Sequence, residues 1–234
     1  MEKVERYLKS QTAHYRHLGD VDAAHEAHPF VTISRQAGTG GQALAEVMVR
    51  TFDAQSDTEL FGGWQVFDRR LCEMVADHPR LSESLESLVT EEYRTRTDEF
   101  VRQVLRPGVD QEFVMRRVFH VVASVAAIGK AVIVGRAGSH VTAGLGPAVR
   151  LRLVAPEADR IARLMEVLGV EERDARDEAR RLDASRARLL KAQFHADIDD
   201  PTCYDAVWNT ASATGDEIAA AVVTLLRHRA IACS

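Results

Sequence analysis

Five short β-branched runs, each followed by a segment with helical spacing, constrain the fold of this chain more than any other feature. They are Phe30-Val-Thr-Ile-Ser34, Trp64-Gln-Val-Phe67, Ala131-Val-Ile-Val134, Val149-Arg-Leu-Arg-Leu-Val154 and Tyr204-Asp-Ala-Val-Trp-Asn209. Strands separated by helices cannot pair as tight hairpins. The crossovers run neighbouring strands parallel, and the helices then cover both faces of the sheet. The pattern predicts an α/β chain with a five-stranded parallel sheet.

The helical segments follow from apolar spacing. Val4, Tyr7, Leu8, Tyr15 and Leu18 mark an amphipathic N-terminal helix, and Gly19 to Pro29 is a polar connector. Leu44, Val47, Met48 and Phe52 form a stripe after the first strand. Further helices are expected from Asp68 to about Asp77, over 81–106 up to Pro107-Gly108, and from Asp110 to Ile128, which is apolar on most faces. Two highly charged helices occupy 157–168 and 171–191, and Asp216 to Arg229 closes the chain.

In such sheets ligands lie beyond the carboxyl ends of the strands. The first strand ends in S-R-Q-A-G-T-G-G-Q, the third in G-R-A-G and the fifth in N-T. A glycine turn that opens a helix presents backbone N–H groups and the positive end of the helix dipole, a site for phosphates. The full G-x-x-x-x-G-K-[ST] pattern is absent. Gly41 stands in place of its lysine and Gln42 in place of its Ser/Thr, so the usual ammonium and the usual Mg²⁺-ligating hydroxyl are both missing. Only four of the thirty Lys plus Arg are lysines, Lys3, Lys9, Lys130 and Lys191, and none belongs to this loop. If the site handles phosphate chemistry, arginines must neutralise the charge.

Composition excludes several other classes. A formal charge of −5 lacks the cationic excess that displaces counterions from nucleic acid. Cys72, Cys203 and Cys233 form no C-x-x-C pair, which argues against a disulfide scaffold or a zinc ribbon. The opening MEKVERYLKSQ is too charged for a secretory signal, and the longest apolar stretch, about Val118 to Ile128, is too short to span a bilayer. A cytoplasmic chain with no membrane or nucleic-acid partner is expected. His14, His17, His25 and His28 cluster near the N-terminus, but His25-Glu26-Ala27-His28 is one residue short of H-E-x-x-H, and no metal site is expected there.

The run V-T-I-S-R-Q-A-G-T-G-G-Q resembles the opening of the cytidylate kinase-like family, a branch of the P-loop nucleoside monophosphate kinases whose members read I-S-R-x-x-G-S-G-G. Further stretches resemble the family in the same order. They are Val66-Phe67-Asp68-Arg69-Arg70-Leu71, Val132-Ile-Val-Gly135-Arg136, Val154-Ala155-Pro156-Glu157 through Arg160 and Arg163, Asp183-x-x-Arg186, and Tyr204-Asp205 to Asn209-Thr210. The resemblance spans roughly residues 30 to 229.

It implies a three-layer P-loop NTPase-type fold over 30–234, an acceptor-side helical region near 68–128 and a lid near 157–191, with 1–29 appended. Gly38, Thr39, Gly40, Gly41 and Gln42 would hold the donor phosphates. Arg35, Arg181 and Arg186 would act on the transferring group, and Asp68, Arg136, Arg160 and Arg163 would bind the acceptor. ATP and Mg²⁺ are the implied cofactors, and a CMP-like nucleotide or another small phosphate-bearing molecule the partner. In true cytidylate kinases an aspartate follows the strand-end arginine and helps read the acceptor; Ala137 stands there in this chain.

The residues alone leave plainer roles open. Residues 157–191 carry nine cationic and nine acidic side chains, the composition of a solvated face. Asp68 has the position of a helix cap. A non-catalytic nucleotide- or anion-binding sensor or interaction protein and a kinase of a non-nucleotide metabolite are both alternatives, and a homodimer is compatible with the sequence.

Overall fold

β1 (Phe30–Arg35) lies at the centre of the sheet in the computed structural model of the chain, which describes residues 2–17, 28–89, 95 and 110–231. The other strands are β2 (Gln65–Phe67), β3 (Ala131–Val134), β4 (Ala148–Val154) and β5 (Ala206–Asn209). Their order across the sheet is β2-β3-β1-β4-β5, and every pairing is parallel. The chain moves first toward one edge and later crosses β1 toward the other. That topology leaves a crevice beyond the carboxyl ends of the central strands.

The helices in chain order are α1 (Glu2–His17), α2 (Gly41–Asp53), α3 (Thr58–Phe61), α4 (Arg69–Asp77), α5 (Pro79–Ser87), α6 (Asp110–Ile128), α7 (Gly138–Val141), α8 (Glu157–Leu168), α9 (Glu172–Phe194) and α10 (Gly215–Ile231). Side chains alternate across each strand, which divides the core in two. Val31, Ile33, Val132, Val134 and Leu151 pack with Leu44, Met48 and Phe52 of α2 and with Ile218, Val222 and Leu226 of α10. Phe30, Phe67, Ala131 and Ile133 pack on the other face with α4, α5 and α6, through Cys72, Val75, Leu85, Val122 and Val125. The result is the expected α/β arrangement of five parallel strands flanked by helices.

The expected helix over 81–106 is seen as α5, ending at Ser87; residues 90–94 and 96–109 lie outside the described residues, as does most of the connector before Pro29. Two strands begin later than their sequence patterns. Trp64 precedes β2, with its indole N–H donating to the Leu60 carbonyl at 2.9 Å and its ring 4.7 Å from Phe52. Tyr204 and Asp205 precede β5, and Asp205 accepts from the Arg150 N–H at 2.6 Å. The Trp64 indole bonds back to α3, while Asp205 meets Arg150 of β4 twice, its own N–H donating to the Arg150 carbonyl at 2.7 Å and its carboxylate accepting the Arg150 N–H. No helix among the described residues is long and apolar enough to cross a membrane.

α1 joins this core. Val4 and Tyr7 are 0% and 2% exposed. The Tyr7 ring meets Phe67 edge-on at 5.1 Å, and its hydroxyl donates to the Gly129 carbonyl at the end of α6 at 2.6 Å. Truncating a buried aromatic ring removes both transfer energy and packing, so Tyr7→Ala is expected to cost about 3–5 kcal/mol in urea unfolding. Tyr7→Phe, which loses only the hydroxyl, should cost about 1 kcal/mol. Equal losses in the two variants would contradict this role of the ring.

Candidate phosphate-binding site

The loop between β1 and α2 is built on left-handed glycines. Gly38 and Gly40 have φ of +79° and +77°, and a Cβ on Gly38 would overlap the Arg160 backbone. Thr39 turns its hydroxyl back to the Gln36 carbonyl at 2.9 Å, and the Gln42 amide donates along the helix to Glu46 at 3.3 Å. Gly40 is the N-cap of α2, and no side chain caps the helix. The N–H groups of its first turn therefore keep the anion-binding character of a free helix N-terminus.

Arg35, the last residue of β1, runs between two glycines. A Cβ on Gly41 would sit 3.3 Å from its Cγ, so the stem of Arg35 fills the space beside the position where a P-loop lysine would project. A Cβ on Gly135 would overlap the Arg35 guanidinium. Gly135 opens a turn of three consecutive left-handed residues, with φ of +82° there, 55° at Arg136 and 53° at Ala137. Positive φ at two non-glycine residues is strain of about 1–3 kcal/mol each, a cost concentrated at functional sites.

Four guanidiniums converge here. Burial, then repulsion from Arg186 and Arg136, pushes Arg35 down to about 10, with Asp68 opposing and Arg152 adding to the fall. Arg136 and Arg186 are also lowered by burial; Glu73 partly offsets the first and Asp183 the second. Arg136 donates to Glu73 of α4. Arg152, 4% exposed, lies opposite Ser34 in the β1–β4 register, donates to its Oγ at 3.0 Å, and reaches Asp199 at 2.7 Å. The Nε atoms of Arg136, Arg152 and Arg160 are buried without a hydrogen-bond partner among the described residues. Clustered cations with donors to spare are stabilised by an anion.

Arg35, Arg136 and Arg186 line a cavity of about 50 Å³ that also takes in Ser34 and Ser139 and is walled by Leu189, Leu190 and Ile198. At roughly 10–15 Å³ for each water, this is about the room of one phosphate group. No carboxylate is among the residues lining it. Its charged lining consists of planar, donor-only groups, whose geometry is complementary to an oxyanion.

α8 and α9, the region expected to form a lid, lie against the loop. Ala37 packs with Ile161, Leu164, Ala175 and Ala179. Asp183 accepts from the Ala37 N–H at 2.7 Å, from Arg160 at 2.7 Å and from Arg186 at 3.1 Å. Arg160 donates to the Ala37 carbonyl at 3.2 Å, Arg163 to the Gly38 carbonyl at 3.1 Å, and Arg186 to the Arg35 carbonyl at 3.2 Å.

The residues singled out by sequence thus separate into groups. Arg35, Arg136 and Arg186 come together at the cavity. Arg160 and Arg163 stand on the glycine loop and bond its carbonyls. Arg181 faces outward, 66% exposed and paired with Glu178. Asp68 caps α4 by accepting from the Leu71 N–H at 2.8 Å. Sequence reasoning did not single out Arg152 or Glu73. The signal for Arg152 was two arginines inside an otherwise apolar strand, V-R-L-R-L-V; for Glu73 it was the i,i+4 spacing from Arg69.

The five-stranded all-parallel sheet flanked by helices is an α/β fold consistent with the P-loop type. The family model described as cytidylate kinase-like matches residues 30–212, and the chain belongs to that family. α1 lies outside the matched region. A crystal structure of an uncharacterized protein from Eubacterium ventriosum is similar in fold, with a TM-score of 0.64 and 16% identity over 86% of this chain and 99% of that one. No curated protein matches the sequence.

The depressed value at Arg35 has a definite sign. A cation whose folded-state pKa of about 10 lies below the ordinary arginine value is disfavoured by folding. That penalty is present at every pH below about 10 and fades as the pH rises from there toward the ordinary arginine value. Arg35→Met is therefore expected to melt at or above the wild-type temperature at pH 7 without ligand. It should also lose most of the rise in melting temperature that inorganic phosphate gives the wild type. A variant that melts well below wild type yet keeps the full rise would contradict this account.

Proposed function

We propose that the chain is a nucleoside monophosphate kinase-like phosphotransferase that moves the γ-phosphoryl group of ATP to a CMP-like nucleotide or a similar small phosphate-bearing acceptor. The observation that carries this reading is the convergence of Arg35, Arg136 and Arg186 on a phosphate-sized cavity at the end of β1, one residue before the glycine loop begins. Family membership supports a kinase-like, nucleotide-binding chain.

In this reading the N–H groups of Gly38 to Gln42 hold the donor phosphates, and the cavity holds the acceptor phosphate. Arg136, fixed by Glu73, clamps the acceptor. Arg35 and Arg186 lie between the two and neutralise charge on the group in transfer. The planar fork of arginine suits oxygens that change position during an in-line displacement. No covalent intermediate is needed; positioning and charge stabilisation supply the rate. α8 and α9 act as a lid that excludes water.

The residues fit ATP through the uncapped start of α2. They fit Mg²⁺ less directly. No group of three His, Cys, Asp or Glu able to hold a metal is found among the described residues, and Gln42 replaces the usual hydroxyl. The ion would be held mainly by the nucleotide's own phosphates, as Mg²⁺ commonly is, and would supply further charge neutralisation.

Ala137 and the small cavity favour a second reading, a kinase of a non-nucleotide phosphoester. ADP formation from ATP and Mg²⁺ over a panel of nucleoside monophosphates and sugar phosphates separates the two. Acceptor-dependent ADP release with a nucleotide is expected. In Arg136→Ala the acceptor KM should rise about 10–100-fold, the worth of a charged hydrogen bond, while the KM for ATP stays within a factor of two or so. ATP binding by calorimetry without turnover on any acceptor would leave only a non-catalytic anion binder. Equal losses for both substrates would contradict the acceptor role of Arg136.

A further inference from the structure

The phosphate cavity has an imbalance of donors and acceptors. Arg35, Arg136 and Arg186 can only donate, which suits phosphate oxygens but cannot receive the hydroxyls of an organic ligand. The side-chain acceptors on the lining are two hydroxyls, Ser34 and Ser139. Ser34 is largely committed. It accepts from Arg152 at 3.0 Å and lies 3.2 Å from the Tyr204 hydroxyl, whose single proton goes to the Ile198 carbonyl at 2.9 Å. Ser34 therefore spends its own proton on Tyr204.

Ser139 is placed differently. It is 8% exposed, stands on α7 just after the left-handed turn at Arg136 and Ala137, and lies with its Oγ 3.0 Å from Nδ1 of His140. The His140 ring is held 5.3 Å from Phe194. Burial and then nearby Arg150 push the imidazole below its ordinary range, so it is neutral at pH 7. A neutral ring can accept the Ser139 proton at Nδ1 while carrying its own on Nε2. The guanidiniums across the cavity favour this orientation, because it turns the oxygen lone pairs of Ser139 toward positive charge and its proton away.

We propose that Ser139, oriented by His140, determines specificity by accepting a hydrogen bond from a hydroxyl on the organic half of the acceptor. The inference rests on the cavity being the acceptor-phosphate site. The substrate class it selects is a phosphomonoester with a free sugar or polyol hydroxyl close to its phosphate. Leu189, Leu190 and Ile198 offer apolar cover for the carbon skeleton. His140 is a positioning residue in this arrangement, acting through Ser139.

The test is calorimetric titration of the full chain with inorganic phosphate, with CMP, and with the dideoxy analogue of CMP lacking both sugar hydroxyls. One neutral hydrogen bond corresponds to about a three- to ten-fold change in Kd. Wild type is expected to prefer CMP to the dideoxy analogue by about that factor. Ser139→Ala should lose the preference while its Kd for inorganic phosphate is unchanged, and Ser139→Thr should restore it. A preference that survives in Ser139→Ala overturns the proposal. So does a parallel loss of phosphate and CMP binding in that variant, which would mark a structural role. Wild type that binds no inorganic phosphate removes the acceptor-site reading itself, and this inference with it.

Discussion

Arg35 passing between Gly41 and Gly135 is the contact on which the rest of the site depends. A cationic side chain at the carboxyl end of a buried parallel strand has few places to go, since β-carbons of neighbouring loops normally fill that space. Here the two positions that would obstruct it are glycines. One removes the side chain that would crowd its stem; the other admits its guanidinium. Ala137 and Arg136 then adopt left-handed backbone to complete the turn, and Arg136 and Arg186 join the same cavity. Burial, and then repulsion from Arg186 and Arg136, holds the Arg35 pKa at about 10. In the proposed function that destabilisation is offset when the same groups bind a phosphate.

The absence of lysine from the loop therefore has a structural counterpart. Gly41 stands where the full P-loop pattern has its lysine, and it is also a residue against which Arg35 lies. Scarcity of lysine across the chain is background. The substitution at Gly41 is specific, because it makes room for the cation that lies nearest. Asp183 adds the second constraint. Its carboxylate accepts a loop N–H and two guanidiniums, so the shape of the glycine loop and the position of Arg186 are set by one group.

Much of the fold was legible in the sequence because it is carried by local patterns. Val31, Ile33, Val132, Val134 and Leu151 alternate within short runs, and Asp110 to Ile128 is helical along its whole expected length. The small elements α3 and α7 were not legible. Each spans four residues, too few for helical periodicity to register. Arg35 and Arg136 could be found because they sit beside glycines at strand ends. Arg152 and Glu73 could not be, since their roles come from a cross-strand register and from a helix packing beside the cavity. The arginines of α8 and α9 show the limit most clearly. In sequence Arg160, Arg163, Arg181 and Arg186 are equivalent charges on amphipathic helices, yet one lines the cavity, two bond the loop and one faces solvent. Helix phase relative to a distant loop separates them, and no local pattern encodes that phase.

In the proposed reaction an arginine does the work for which the loop has no lysine. The most direct measurement is kcat for phosphoryl transfer in Arg35→Gln, with ATP and the best acceptor both saturating. Loss of one preorganised charge stabiliser predicts a fall of about 10²–10³ with the KM for ATP little changed. A kcat within about three-fold of wild type, a change of well under 1 kcal/mol in the barrier, would contradict it.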